Sequence, residues 1–197
     1  MSSELDTLTA KFFEVWKLLK SESLRGSVIV AAAIHDDILK QILISRLVPC
    51  EKDDDRLLGP MAPIGSLAAR IDLAYRSGCI SSKHRDSLHI LRNLRNKFAH
   101  LSMPISFKDQ SICGRTRNLF ELNRDFIVLI WPKIRLEMFN FHEISSPSEM
   151  KEDVLEDMIE LAGYRCTFEI LASAVAGVQA VRHEETVSLE ECSGNPD

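Results

Sequence analysis

The unbroken apolar run Val28-Ile29-Val30-Ala31-Ala32-Ala33-Ile34 constrains this chain more than any other feature. A helix built on it has no polar side to turn toward water, and a helix that is apolar all round is packed on every side. The run is far shorter than the roughly 20 apolar residues needed to cross a bilayer. The same is true of the second apolar run, Phe126 to Trp131. A helix over residues 22–47 is therefore expected at the centre of a bundle, with other helices covering it.

The rest of the chain supplies those helices. In residues 4–20, Leu5, Leu8, Phe12, Val15, Trp16 and Leu19 recur at steps of three and four, the spacing of one helical face. Ser21 or Ser23 can cap the next helix, and a charged stretch from Pro49 to Asp55 reads as an exposed loop. Gly59-Pro60 and Pro63 introduce a third helix over residues 64–76, closed by Ser77-Gly78 as a glycine C-cap. Ser81 or Ser82 caps a fourth, reaching residues 98–101, with Leu88, Leu91, Leu94, Phe98 and Leu101 facing inward and Pro104 closing it. Residues 108–124 read as helix, residues 126–131 fit either helix or strand up to Pro132, and residues 133–146 read as irregular.

A last helix is expected from near Ser148, with Glu149, Glu152 and Asp153 suiting the dipole at its start. Unbroken to Val181 it would be about 50 Å long, more than a compact domain spans. It is therefore expected to bend near Gly163 or to project toward a partner subunit. Together these readings predict an all-α fold, a bundle of about five to seven helices with a long C-terminal helix. It forms one domain over residues 1–182, followed by a disordered tail over 183–197.

Bulk properties narrow the function classes. A hydrophobic content of 45% with 27% charged residues excludes disorder as the main state. The acidic start Met-Ser-Ser-Glu-Leu-Asp lacks the basic and apolar regions of a signal peptide, and a soluble cytoplasmic protein is expected. The five cysteines, Cys50, Cys79, Cys113, Cys166 and Cys192, show no metal or redox spacing. There is no phosphate-cradling glycine loop, no nucleophile elbow and no histidine cluster at ligand spacing, so neither metal nor cofactor is expected. Charge is uneven: residues 70–135 hold 13 Lys/Arg against 5 Asp/Glu, and residues 136–197 hold 3 against 14. This marks either a basic binding face or a basic layer packed beside an acidic helix of the same chain, and the second is preferred. A pI near 5.7 gives no encouragement to direct duplex DNA binding, which normally leaves a basic footprint.

The chemistry candidates lie on the fourth helix. Asn93, Asn96 and His100 fall in one narrow sector, with Arg92 near it. Arg95, five residues before His100, joins them only if the helix loosens near Ala99 or if it reaches a second subunit. Arginine binds carboxylates or phosphates and histidine exchanges protons near neutral pH. Asn and His near a helix end also commonly satisfy last-turn carbonyls, and that structural role is the favoured one on residues alone. Asp36 and Asp37 follow the apolar run directly, so at least one lies near the core and needs a partner, supplied by Arg70, Arg92 or Arg95. Asp36 and Lys40 also have the spacing of a surface pair.

Several of these stretches resemble the mannitol operon repressor family. They are Ser23-Leu24-Arg25-Gly26-Ser27 through Ala33 with Asp36-Asp37, Gly59-Pro60, Ile64 through Tyr75, Gly78 and Ile80, Leu91 through His100, and Ser106-Phe107. The resemblance spans residues 20–125. It implies an all-helical bacterial regulator associated with repression of genes for mannitol uptake and catabolism. Such a regulator would act through a protein partner, such as a sugar phosphotransferase component, without a DNA-reading motif, and as a homodimer. The functional surface this implies joins Arg25, Asp36, Arg92, Arg95, Asn96 and His100, with Arg70 and Asp72 as supporting ion-pair residues and Gly59 and Gly78 shaping turns.

A second, more distant resemblance rests on Arg95-Asn96-Lys97-Phe98-Ala99-His100, which is similar to the signature of HEPN domains, many of them RNA-cleaving helical dimers. It would make the chain a metal-independent ribonuclease or a toxin-like RNA-binding protein. Arg95 would hold phosphate, Asn96 would position it, and His100 would move a proton at the ribose 2′-hydroxyl. Leu101 and Ser102 stand where some toxin members carry tyrosine.

Overall fold

A computed structural model of the chain describes residues 2–50, 56–59, 61–100, 105–140 and 151–190. It is all-α, with six helices in the described residues: α1 (Ser2–Ser21), α2 (Leu24–Arg46), α3 (Leu67–Arg76), α4 (Ser82–Ala99), α5 (Gln110–Asn140) and α6 (Val154–Glu185). No described helix is long and apolar enough to cross a membrane. The charged stretch over 51–55, Pro60, Pro104 and residues 141–150, which include Ser148, lie outside the described residues, as does Leu101.

Local chemistry sets the helix starts. Ser23 accepts a hydrogen bond from the Gly26 amide at the head of α2, Ser66 from Ala69 at α3, and Ser81 from His84 at α4. Each satisfies one of the donors that a first turn leaves unpaired. At the end of α3, Gly78 sits at φ 76. Its amide donates to Tyr75 and the Cys79 amide to Ala74, which is the Schellman pair that glycine permits. Gly59 takes no positive φ, and its carbonyl accepts from the Ala62 amide in the turn leading to α3.

The central helix is α6, and the expectation that α2 would be central is corrected here. Residues 167–177 of α6 are buried at every position, with α1, α2 and α5 packed around them. Gly177 allows this at one point, since a Cβ there would stand 2.8 Å from the Leu8 carbonyl oxygen. By contrast α2 buries Val28, Ala31, Ala32, His35, Leu39, Ile42 and Leu43 and leaves Ile29 and Ala33 exposed. Four helices pack against α2 (α1, α3, α4 and α6), but the gap between α3 and α4 is not filled by any described side chain.

Two further expectations need correction. Residues 133–140 are not irregular: α5 runs through Pro132 to Asn140. Proline removes one interior hydrogen bond, to the carbonyl four residues earlier, and here both Val128 and Pro132 lie on the solvent side. On the opposite side Ile127, Trp131, Ile134 and Met138 are buried, so packing on both flanks of the proline outweighs its cost. The expected disordered tail covers residues 183–197, of which 191–197 lie outside the described residues, and residues 183–190 are held against the bundle. His183–Glu185 extend α6, the Leu189 amide donates to the Arg46 carbonyl, and Arg46 donates to Val187.

The expected bend in the last helix is present. Gly163 takes φ 74 and ψ 167, a region that is essentially glycine-only. No atom lies within 4 Å of a Cβ placed there, so conformation alone sets the cost of substitution. Gly163→Ala is expected to lose about 1–3 kcal/mol of stability. Gly114→Ala, inside α5 and equally open, is expected to gain up to about 1 kcal/mol. Chemical denaturation of the two variants checks both signs.

Candidate functional site

The gap beside α2 is a cavity of about 490 Å3 between α2, the start of α3 and the second half of α4. Its floor is Ile29, Ala32 and Ala33, one wall is Gly65, Ser66, Leu67 and Ala68, and the other is Arg92, Arg95 and Asn96, with Asp36 at the edge. Arg92, Arg95 and Asn96 share one face of α4 because three- and four-residue steps return to the same side of a helix. The grouping differs from the one the sequence suggested. Asn93 is half-buried and does not line the cavity.

Asp36 is held by Arg70, with Nη1 at 2.7 Å from Oδ1, while Arg70 Nη2 donates to the Leu58 carbonyl at 3.0 Å. Arg70 is buried, and it was one of three partners the sequence offered for this carboxylate. Asp72 receives His89 at 3.2 Å on the exposed side of α3 and α4. Arg95 donates to the amide oxygen of its neighbour Asn96 at 3.1 Å. Among the described residues, no carboxylate pairs with Arg92 or Arg95.

The structure does not bring all the predicted residues together. Arg25 stands half-buried near the start of α2 and does not line the cavity. His100 is the C-cap of α4, at ψ 111, exposed and outside the cavity. The helix does not loosen before Ala99, and among the described residues no hydrogen bond joins His100 to Arg95 or Asn96. The basic middle of the chain is divided in its use. Arg117 reaches Glu156 at 2.8 Å and Tyr164 at 3.0 Å, and Arg135 lies 3.6 Å from Asp157, so part of it does pack beside the acidic last helix. Arg92 and Arg95 instead face the cavity.

Sequence reasoning missed two features. The first is that the exposed side of the apolar run floors a cavity, which no local pattern signals. The second is a buried pair of imidazoles. His35 continues the inward stripe of α2, from Val28, Ala31 and Ala32 to Leu39, and that spacing was the available signal. His35 Nδ1 lies 2.5 Å from the Gln179 amide oxygen, and burial holds its pKa down to about 4 against the pull of that hydrogen bond. His84 is pushed down to about 3 by burial first, then by the charges of His35 and Arg182. The Nε2 atoms of both are buried with no hydrogen-bond partner among the described residues. Among those residues no three metal-ligating side chains converge.

The fold defines a class, the all-α bundle built on a central C-terminal helix. Comparison with solved structures narrows it. The fold is similar to that in the X-ray structure of the MtlR–HPr complex from Escherichia coli, with a TM-score of 0.53 and 16% sequence identity over 87% of this chain and 99% of that one. No protein-family profile and no curated protein matches the sequence.

Proposed function

We propose that this chain is a regulator of the mannitol-repressor type that acts through protein–protein contact as a homodimer. Its docking face would be the α2–α3–α4 cavity rim, with Asp36, Arg92, Arg95 and Asn96 at its centre and Arg25 and His100 outside it. The partner proposed is a sugar phosphotransferase component of the HPr type. The observation carrying this reading is the shared fold over 99% of a protein solved in complex with HPr. It is supported by two arginines that no carboxylate of the described residues neutralises. Unpaired charges at a rim steer association and select partners.

Calorimetric titration of the purified chain with HPr from its own host tests the proposal. Saturable binding is expected, weakened by about tenfold or more in Arg92→Glu/Arg95→Glu. No binding to HPr, together with tight sequence-specific operator binding, would remove the partner-mediated reading. Cleavage of RNA by the wild type that disappears in His100→Ala would replace it with the nuclease class.

A further inference from the structure

From the cavity between α2, α3 and α4 we infer a binding site for a small phosphoryl dianion, a phosphomonoester or inorganic phosphate. The inference uses the same groove as the regulator reading and adds an effector to it. Arg92 and Arg95 project from one face of α4 into a space of about 490 Å3, which is within the size range of small-ligand sites. Among the described residues the only carboxylate on its lining, Asp36, is already engaged by Arg70 at 2.7 Å. Counting those four groups, the site carries two positive charges in excess.

The facing wall adds neutral donors. Ser66 caps α3 through the Ala69 amide, and its carbonyl takes the Arg70 amide. The amides of Leu67 and Ala68, in the first turn, have no acceptor within the helix, and both residues line the cavity. A tetrahedral anion between these walls meets guanidinium forks on one side and backbone amides on the other. Arginine matches phosphate oxygens two at a time, so two arginines and two amides suit a group with three terminal oxygens better than a planar carboxylate. The floor of Ile29, Ala32 and Ala33 offers no hydrogen bond, and it suits the body of an ester.

The test is titration of the full chain with inorganic phosphate and with phenyl phosphate, each against sodium chloride at equal ionic strength, read by thermal shift and calorimetry. Saturable binding with a Kd of about 1 mM or tighter is expected for at least one probe. Loss of about tenfold or more in affinity is expected in Arg92→Gln/Arg95→Gln, and none in Arg85→Gln, which sits on α4 with its guanidinium on Asp86. Far-UV circular dichroism and the unliganded melting temperature establish that the variants are folded. Tighter binding of phenyl phosphate assigns the ester, and equal binding assigns free phosphate. Absence of saturable binding to both, or equal binding by the double arginine variant, overturns the site. HPr binding, measured in phosphate-free buffer, is a separate result, so failure of the anion site leaves the regulator reading to its own test.

Discussion

Lowering the pH from 7 to 4.5 is expected to cost this protein on the order of 4 kcal/mol of folding stability, through two buried histidines that do not line the cavity. His35 and His84 are buried, and their pKa values lie at about 4 and about 3. In the unfolded chain both would take up a proton near 6.5. Below that value the unfolded state binds protons that the folded state refuses, so stability is complete above about pH 6.5 and declines as the pH falls toward the folded values. Glu169 acts in the opposite sense, because burial raises its carboxyl and the folded chain then takes up that proton more readily. Guanidinium denaturation midpoints at pH 7 and 4.5 measure the net effect. In His35→Leu/His84→Leu the slope between these pH values is expected to flatten. An unchanged slope would mean that the imidazoles are not held neutral by their burial.

The second large effect is expected at Asp157, where Asp157→Ala should destabilise the fold by about 3–5 kcal/mol. This carboxylate is buried in the first turns of α6 and accepts from Trp131 Nε1 at 2.7 Å, with Arg135 at 3.6 Å and the Lys151 amide at 3.5 Å. Trp131 and Arg135 stand on either side of Pro132, so one acidic side chain ties both halves of α5 to α6. Removing it leaves a buried guanidinium and an indole N–H without that acceptor, and breaking one side of such a network costs more than replacing both. Asp157→Ala/Arg135→Met is accordingly expected to lose less than the sum of its single changes, as measured by a double-mutant cycle in urea. Additivity within about 0.5 kcal/mol would show that the pair is not coupled.

That network also explains why Phe126 to Trp131 is ambiguous in the sequence and why the residues after Pro132 read there as irregular. Proline is a local stop signal, and the side chains that override it, Asp157 above all, lie more than twenty residues further along the chain. Gly163 shows the opposite case. A glycine inside an apolar helical pattern too long for the domain marked the bend correctly, because the left-handed conformation it adopts is a property of that one residue. The carboxylate–arginine pair falls between these cases. The need for a partner at Asp36 followed from its place beside the apolar run, while the selection of Arg70 over Arg92 or Arg95 did not.

What the sequence by itself determined is therefore what period and capping determine: an all-α fold, a serine cap at the head of α2 and of α4, the Gly78 stop, the inward stripe Leu88, Leu91, Leu94 and Phe98, and Gly163 as the point where a bend would fall. Each depends on residues within about one or two helical turns of one another. Only the tertiary structure decided which helix is central, that α5 passes through Pro132, and that Arg92, Arg95 and Asn96 share a cavity with the exposed side of α2 while His100 does not. Those outcomes depend on which faces of distant helices meet. An apolar face reports that it will be covered, but not by what, nor whether the cover closes completely.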